Sequence, residues 1–364
     1  MRPCLASFSR VTGRAPSPGG SQAVIWAEAE GCRVVDADGR AYLDLSGGFG
    51  VAALGHRNPD IVAAVAAQTE YCMHALGDLA EADVTAELRR RLGQGGHEVM
   101  LGVTGEDAVE IALRTALLVT GKPGIVAFTG AYHGTGLLAL AATGFERFRA
   151  PFAPWVPGPV HRFVYEEDPG PLPDDAGCVI VEPVQGRAGA RVPPEGFLAR
   201  LRDRCDDAGA LLVCDEIYTG LGRTGTMWRS GGLADLLVCG KALGGGLPLS
   251  ACLLRPDHAA AWQLGPEDVY THTHMGNPLA CAAALVVLER VPTLLERIRE
   301  AGARFEAAGW HGAGLLRARA GDALAAWERG VIVIPAGEDG SLMSATPPLT
   351  ISDAEIDEAL ERLG

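Results

Sequence analysis

The sequence predicts an α/β fold with a mainly parallel central sheet. Five short runs rich in valine and leucine have the length and composition of strands buried on both faces: GIVAF (124–128), CVIVEP (178–183), ALLVCDE (210–216), LLVCG (236–240) and SACLL (250–254). Helical patterns separate several of these runs, and strand–helix–strand alternation is typical of parallel sheets that bind ligands at their carboxyl ends. The length, 364 residues, allows a large core and about two domains.

Three helices can be placed from their boundary residues. The stretch EDAVEIALRTALLVT follows Thr104-Gly105 and has acidic residues in its first turn, as helix N-termini favour. The stretch PPEGFLARLRDRCDDAG starts with prolines and stops at Gly209, so we predict a helix over it. A long helix is predicted to begin near Asn277-Pro278.

The two ends of the chain are predicted to form a smaller α+β domain. After a Gly/Pro/Ser-rich segment at 12–21, the stretch VIWAEAEGCRVVDADGRAYLDL predicts short strands with a hairpin turn at Asp38-Gly39. The tail, about 290–364, predicts short helices and one strand, GVIVIP, that pack with the N-terminal strands. We therefore expect a large domain over 45–288 and a small domain formed by 1–44 and 289–364.

Composition argues against several classes of protein. The net charge is −14 and Arg89–Arg91 is the one short basic run, so we expect no nucleic-acid partner. The nine cysteines contain no C-x-x-C pair, which favours buried thiols in a reducing compartment over disulfides or zinc. Neither a signal-peptide pattern nor an uninterrupted apolar span is visible, so we expect a cytoplasmic protein without a membrane partner.

Polar residues follow three of the predicted strands directly. Glu182 ends CVIVEP, Asp215 ends ALLVCDE, and Lys241 follows LLVCG. A charged group at the end of a buried strand costs desolvation energy unless it is paired or used. A single group of this kind is more often a structural residue whose hydrogen bonds are made within the protein. Three such groups in one sheet favour a ligand site.

The lysine indicates the chemistry. The chain has two lysines, Lys122 and Lys241, against 29 arginines. Arginine stays charged, whereas burial can make a lysine a neutral nucleophile. Pyridoxal phosphate needs such a lysine and a carboxylate at its ring nitrogen, for which Asp215 is the candidate. The helix start at 104–106 offers N–H donors to the phosphate and Tyr132 offers a flat neighbour to the ring. By contrast, Lys122 lies in the turn TGKPG, where a solvated charge is enough.

Other ligand motifs fit less well. A P-loop would need a Ser or Thr after Lys241 and a glycine at Asp235, and the chain has Ala242 and the aspartate instead. No G-x-G-x-x-G follows a first strand, which argues against a nicotinamide cofactor. The stretch THTH (271–274) lacks a third ligand, so we expect no metal.

Several motifs in this order resemble the class III pyridoxal-phosphate aminotransferases, the ornithine/4-aminobutyrate-like group of fold type I. They are DADGRAYLDLSGGFGVAALGHRNPDIVAAV, TGEDAVEIALRTA, GAYHG, VEPVQG, DEIYTGLGRTG, GKALGGGLP, THMGNPLACAAAL and PPLTISDAEIDEAL. The resemblance covers nearly the whole chain, and DEIYTGLGRTG together with GKALGGG is highly specific. It implies a fold type I transferase with a large and a small domain.

The resemblance also implies roles for matching positions. Lys241 would carry the cofactor as a Schiff base and shuttle a proton, while Asp215 would pair with the pyridine nitrogen. Further cofactor contacts would come from backbone N–H groups of Gly105 and Glu106, from Tyr132, His133 and Ile217 around the ring, from Glu182, and from Thr273 of the neighbouring subunit. The active site would then lie at the interface of a homodimer.

The chain departs from the family at four positions near the substrate. Glu106 stands where many members have a small or hydroxyl residue, so we expect its backbone alone to contact the phosphate. Arg187 replaces a glutamate common in members acting on ω-amino acids, while Ser344 and Thr135 replace arginines that bind carboxylates. We hypothesise that Arg187 binds the carboxylate of an acceptor such as 2-oxoglutarate or pyruvate; the alternative is a surface loop charge.

Two further positions are interpreted more simply. Phe49 stands where the family often has a substrate-contacting aromatic residue, with core packing as the alternative role. Arg223 in GRTG is expected to be structural. The segment between about 290 and 330 is shorter than in most members, so substrate contacts from that side cannot be transferred.

The predicted function is transfer of an amino group from an amino acid or amine donor to a 2-oxo acid, aldehyde or ketone by a ping-pong mechanism. A pyridoxal-phosphate decarboxylase, lyase or 1,2-aminomutase on the same fold is one alternative, because the fold does not fix the reaction. A non-catalytic binding protein is the other alternative. The sequence names neither the donor nor the acceptor.

Overall fold

The computed structural model describes residues 25–77, 79–265 and 269–364. Strands in this part of the chain are β1 (Trp26–Glu30), β2 (Arg33–Asp36), β3 (Ala41–Asp44), β4 (Glu98–Gly102), β5 (Gly124–Phe128), β6 (Val160–Phe163), β7 (Ala176–Val181), β8 (Leu211–Asp215), β9 (Leu236–Cys239), β10 (Ser250–Leu254), β11 (His311–Ala313), β12 (Leu316–Ala320), β13 (Val331–Ile332), β14 (Ile334–Ala336) and β15 (Leu342–Ala345). Helices of six or more residues are α1 (Pro59–Thr69), α2 (Asp83–Leu92), α3 (Gly105–Thr120), α4 (Leu137–Ala142), α5 (Phe197–Ala208), α6 (Pro278–Ala307), α7 (Ala323–Glu328) and α8 (Asp353–Leu363).

A seven-stranded sheet forms the centre of the molecule, in the order β4-β10-β9-β8-β7-β5-β6. All five predicted buried runs are strands of this sheet. Strand β10 pairs antiparallel with both β4 and β9, while the β9-β8-β7-β5-β6 pairs are parallel. The prediction of a mainly parallel α/β sheet flanked by helices is confirmed. The shared direction of β7, β8 and β9 brings their carboxyl ends to one edge.

The helix boundaries follow the capping residues. At the start of α3, Thr104 and Asp107 form a capping box in which each side chain accepts a backbone N–H from the other residue. Asn277 caps α6, which begins at Pro278 as predicted. The prediction for α5 was wrong at its start, because the prolines precede the helix and Gly196, with φ of 77°, turns the chain into it. The helix ends at left-handed Gly209 as expected.

Two smaller sheets are built from the chain ends, in the orders β1-β2-β3-β13 and β11-β12-β15-β14. The predicted turn between β2 and β3 is present, with Gly39 at φ of 83°. The tail joins the N-terminal strands through the parallel pair of β13 and β3. The Gly/Pro/Ser-rich segment at 12–21 lies outside the described residues.

The single strand predicted over GVIVIP was wrong. It is two strands in two sheets: β13 pairs with β3, while β14 pairs with β15. The chain changes sheets at the buried Val333, so one apolar run serves two pairings. Strands β11, β12 and β15 were not predicted because they are short and interrupted by glycine, arginine or serine, which leaves no apolar run.

Helix α6 is the longest element and joins the central sheet to the small sheets. It is long and apolar enough to cross a bilayer by length and composition alone, which contradicts the expectation that no stretch would be. In this fold its apolar face, from Ala280 to Phe305, belongs to the main hydrophobic core. Such packing is typical of a core helix in a globular protein.

Candidate active site

A cavity of about 440 Å³ lies at the carboxyl edge of the central sheet. Glu182 directly follows β7, Asp215 ends β8, and Lys241 follows β9 after one glycine, so three neighbouring strands deliver the three polar groups. Among the predicted site residues, those that line the cavity are Phe49, Gly105, Glu106, Tyr132, His133, Glu182, Arg187, Asp215, Ile217 and Lys241.

Lys241 is held in an unusual backbone conformation. Its φ is 38°, a left-handed value that is uncommon for a residue with a side chain, and such strain is often found at functional sites. Burial lowers the pKa of the Lys241 amine; the nearby carboxylates of Asp215 and Glu182 oppose this shift and Arg187 adds to it. Burial therefore favours the neutral amine, which is the nucleophilic form.

Asp215 is fixed by two hydrogen bonds. Its Oδ2 lies 2.7 Å from Nδ1 of the buried His133, and its Oδ1 accepts the backbone N–H of Ile217 at 3.1 Å. His133 is itself placed by the hydrogen bond from its backbone N–H to Thr143 Oγ1. A buried carboxylate with a fixed orientation is suited to face a protonated ring nitrogen.

The N-terminus of α3 lines the same cavity as this carboxylate. The first N–H groups of a helix have no acceptor within it, so those of Gly105 and Glu106 are available to a ligand, and a helix N-terminus favours an anion. Ile217 packs against Gly105 so closely that a Cβ there would lie 3.0 Å from its Cδ1. Ser250 Oγ donates to the carbonyl of Thr104 at 2.6 Å and ties this turn to β10.

The side chain of Glu106 has a partner of its own. Its Oε2 accepts hydrogen bonds from the backbone N–H of Thr135 at 2.8 Å, from the Thr135 hydroxyl at 3.1 Å and from the Gly136 N–H at 3.0 Å. The carboxylate therefore orders the loop after Tyr132, His133 and Gly134. The side chain of Glu106 is therefore occupied by hydrogen bonds within the protein, and its backbone N–H is left at the helix start.

Glu182 connects two loops that line the cavity. Its Oε1 accepts the backbone N–H of Tyr132 at 2.8 Å and its Oε2 accepts that of Gly186 at 3.1 Å. Burial is the main cause that raises the pKa of Glu182 to about 7; the negative charge of Asp215 adds to the shift and His133 opposes it. Its role in the described chain is to hold Tyr132 and the 185–187 turn in place.

Arg187 lies in the cavity wall, which contradicts the alternative of a surface loop charge. Its guanidinium carbon lies 4.8 Å from the centre of the Tyr132 ring and 4.9 Å from that of Phe148. Its Nε is buried without a hydrogen-bond partner, and no ion pair joins it to a described residue. On the same cavity, the Oγ of buried Ser344 also has no partner.

The other three residues singled out from the sequence lie in different surroundings. Phe49 is 55% exposed at the cavity with φ of 62°, so core packing is not its role. Arg223 is buried and donates to the carbonyls of Leu315 and Pro347, in agreement with the expected structural role. Thr273 is exposed and does not line the cavity of its own chain.

Tyr218 is a cavity residue that the sequence patterns did not identify. Its ring centre lies 4.1 Å from Lys241 Nζ. The available signal was an aromatic residue three positions after Asp215, just beyond the end of β8. Side-chain direction after a strand end depends on the turn, so this signal alone could not place the ring.

These groups match the requirements of one cofactor. A buried lysine amine, an oriented carboxylate, a helix N-terminus and a flat aromatic neighbour are what pyridoxal phosphate needs for its aldehyde, ring nitrogen, phosphate and ring face. In the same cavity, Nε2 of His133 is buried without a hydrogen-bond partner. A side chain at Gly105 would meet Ile217 and reduce the space at the helix start. The fold and the site thus define a pyridoxal-phosphate enzyme.

Comparisons with known proteins agree. A family model described as aminotransferase class-III matches residues 16–308. The acetylornithine aminotransferase of Methanopyrus kandleri is 39% identical over 289 residues, 76% of this chain and 72% of that protein. The 4-aminobutyrate aminotransferase GabT of Escherichia coli is 32% identical, over 92% of this chain and 91% of its own. A solved ornithine aminotransferase from Toxoplasma gondii has a TM-score of 0.88 at 28% identity, covering 98% of this chain and 92% of that one.

The chain therefore belongs to the class-III aminotransferases. It uses pyridoxal 5'-phosphate and moves an amino group from a donor to a carbonyl acceptor. Of the alternatives left open by the sequence, a non-catalytic protein is not supported.

The raised pKa of Glu182 predicts a pH dependence of stability. The folded chain keeps a proton up to about pH 7 that an unfolded glutamate, whose ordinary pKa is 4.5, has already lost. The contribution of Glu182 to the stability of the cofactor-free chain should thus fall as pH rises from about 4.5 to about 7, and level off above. The side chain in Glu182→Gln does not titrate. The difference between the thermal midpoint of the variant and that of wild type should therefore increase as pH rises over that range. The exposed Glu98→Gln is the control, and parallel curves for Glu182→Gln and wild type would contradict the assignment.

Proposed function

We propose that the cavity at the ends of β7, β8 and β9 is the transaminase active site, with Lys241 as the residue that bonds the cofactor aldehyde. The observation that carries this proposal is the strained, buried Lys241 in the same cavity as the fixed Asp215 carboxylate. When bound, the cofactor withdraws electrons from the carbon that bears the amino group. Lys241 would take a proton from that carbon and deliver it to the cofactor carbon that carried the aldehyde, and in the second half-reaction it would carry a proton in the opposite direction.

The other residues hold and orient the cofactor in this proposal. Asp215 pairs with the ring nitrogen, and His133 keeps the carboxylate oriented through the 2.7 Å contact. Tyr132 and Ile217 cover the two ring faces, while the backbone N–H groups of Gly105 and Glu106 bind the phosphate. Glu182 acts indirectly, because it fixes the backbone at Tyr132 and Gly186.

We propose that Arg187 binds the carboxylate of an acceptor such as 2-oxoglutarate or pyruvate. Two observations support this role: the guanidinium carbon lies over the rings of Tyr132 and Phe148, which contact each other, and no carboxylate among the described residues forms an ion pair with it. The Ser344 hydroxyl supplies a second donor on the same cavity. Phe49, exposed at the cavity, would contact the rest of the substrate.

The donor is not carried over from the relatives. Those named above act, by their names, on acetylornithine, 4-aminobutyrate and ornithine. In this chain Arg187, Ser344 and Thr135 occupy positions where the family often has different charges. Both amino acids and plain amines therefore stay candidates as donors.

We further propose that the enzyme is a homodimer in which Thr273 reaches the phosphate of the partner's site. Thr273 is exposed, and its carbonyl oxygen lies 2.7 Å from Nε2 of His74. The segment around His74 exposes large apolar side chains, with Tyr71 at 85% and Leu79 at 83% exposure. Apolar groups in such a cluster favour burial against another surface, here a second copy of the chain.

The domain division and the cellular setting also remain proposals. The separate central sheet supports a large domain over 45–288, and the pairing of β13 with β3 supports a small domain from 1–44 and 289–364. We place the enzyme in the cytoplasm, in keeping with its buried free cysteines at the described positions other than Cys72.

The aminotransferase half-reaction tests the proposed site directly. Wild type loaded with pyridoxal phosphate should lose the yellow absorbance when an amino donor is added without an acceptor. A decarboxylase, lyase or aminomutase would regenerate that absorbance after each turnover. Lys241→Ala should show neither the original band nor the change, because it lacks the amine, whereas Lys122→Arg should behave as wild type. A donor response in Lys241→Ala equal to wild type would refute the site.

The Arg187 proposal predicts a change limited to carboxylated acceptors. Arg187→Ala should raise the KM for 2-oxoglutarate or pyruvate about 10- to 100-fold, the loss expected for a hydrogen bond to a charged group. The matched control is an aldehyde of similar size without a carboxylate, whose KM should change little. An unchanged KM for the acids would exclude Arg187 as the anchor.

Complementation between two inactive variants tests the shared site. Lys241→Ala lacks the amine, and Thr273→Asp would repel the phosphate in the partner. In a mixed dimer, one of the two sites has both native residues. Co-refolding the variants in equal amounts should restore about a quarter of wild-type activity, because half of the dimers are mixed and each has one complete site. No recovery, with dimers confirmed by sedimentation, would contradict a contribution across the interface.

A further inference from the structure

The amine of Lys241 lies against an aromatic face. Its Nζ is 4.1 Å from the centre of the Tyr218 ring, within the range of a cation–π contact. The charged groups that act on it are Asp215 at the end of β8, Glu182 at the end of β7 and Arg187 on the following turn. None of them forms an ion pair with Lys241 in the described chain. The ring is therefore the contact partner of this amine.

Two glycines leave the space that the Tyr218 ring occupies. A Cβ on Gly186 would lie 2.1 Å from its Cδ1, and one on Gly50 would lie 3.1 Å from its Cε2. Both positions must stay without a side chain for the ring to occupy this place. Gly186 is also the residue whose backbone N–H donates to Glu182, so the ring and that carboxylate share one support.

A hydroxyl chain fixes the far end of Tyr218. Thr346 Oγ1 donates to the carbonyl of Ser46 at 2.8 Å, so it is the acceptor for the Tyr218 hydroxyl, 3.4 Å away. Burial raises the pKa of the Tyr218 phenol, which therefore stays neutral and keeps its proton for this bond. Tyr218 therefore connects the turn after β8 with the segment that follows β15.

We propose that Tyr218 is a positioning residue for the proton transfer by Lys241, because its ring face holds the amine in both its neutral and its protonated state. This inference rests on the proposed role of Lys241. In the transfer, the amine accepts a proton and becomes an ammonium, and the proton later leaves from the same nitrogen. The ring attracts the ammonium through its quadrupole and offers the neutral amine an apolar contact of the right shape.

An aromatic face suits this task better than a paired carboxylate. A carboxylate in contact with Lys241 would favour the ammonium strongly and oppose return of the proton. Burial alone would make the ammonium costly. The ring lies between these limits: it partly offsets the desolvation of the ammonium without supplying an acceptor that retains the proton.

The two-lysine composition makes a direct test possible. Lysine labelled with ¹³C at the ε-carbon gives two side-chain signals from the whole chain, and Lys122→Arg assigns them. Lys122 lies just before β5, at the opposite edge of the sheet, and donates to the carbonyl of Ala208 at 2.7 Å. It therefore serves as an internal control. The titration is recorded on the full cofactor-free chain and again on the loaded enzyme after a donor has aminated the cofactor, which frees Lys241.

The comparison is between variants that keep or remove the ring. Tyr218→Phe keeps the aromatic face, so the titration midpoint of Lys241 should stay within about 0.3 pH units of wild type. Tyr218→Leu removes it, and the midpoint should move down by about one pH unit. The Lys122 midpoint should not change in any variant. Thr346→Val removes the acceptor of the Tyr218 hydroxyl, together with the hydrogen bond to Ser46, but leaves the ring; the Lys241 midpoint should therefore resemble that of Tyr218→Phe.

Several outcomes would overturn the inference. An unchanged Lys241 midpoint in Tyr218→Leu would exclude the ring as its partner, and an equal shift in Tyr218→Phe would assign the effect to the hydroxyl. If Tyr218→Leu does not fold, Tyr218→Met replaces it. Wild type that shows no donor half-reaction refutes the transaminase site, whereas the titration of the cofactor-free variants still reports on the ring. The two failures are therefore distinguishable.

Discussion

The desolvation of one amine at the end of β9 is the constraint on which the site depends. The Lys241 amine is buried and its backbone is in a left-handed conformation, a combination that costs free energy in the folded chain. The neighbouring carboxylates of Asp215 and Glu182 moderate that cost at a distance, without forming an ion pair. The amine can therefore lose its proton inside the protein and still be held in place.

The carboxylates around the cavity mainly fix backbone and side-chain positions. Glu182 joins the turns at Tyr132 and Gly186, while Glu106 orders the loop at 135–136. Each replaces hydrogen bonds to water by bonds to backbone N–H groups, which makes burial of the acid tolerable. Both acids thus support the loops that line the cavity.

At the end of the cavity where we propose that the substrate binds, the cation is Arg187, on the turn after Glu182. Its guanidinium carbon lies 4.8 Å from the ring centre of Tyr132 and 4.9 Å from that of Phe148. The hydroxyl of Ser344 stands on the opposite chain segment, in the small antiparallel sheet. Because these two groups come from different sheets, the shape of the substrate end depends on how those sheets meet.

The sequence by itself determined five strands of the central sheet, the start of α3, and Lys241, Asp215 and Glu182 as a group, because apolar runs and the residues that end them are local patterns. It treated GVIVIP as one strand and missed β4 and β6 at the edges of the central sheet, as well as β11, β12 and β15. These short mixed runs are strands only because partners pair with them. Tertiary structure alone decided that Arg187 stacks on Tyr132, that Glu106 bonds a distant loop and that Tyr218 lies against Lys241. These contacts join segments far apart in the chain, and side-chain direction after a turn is set by packing that no local pattern records.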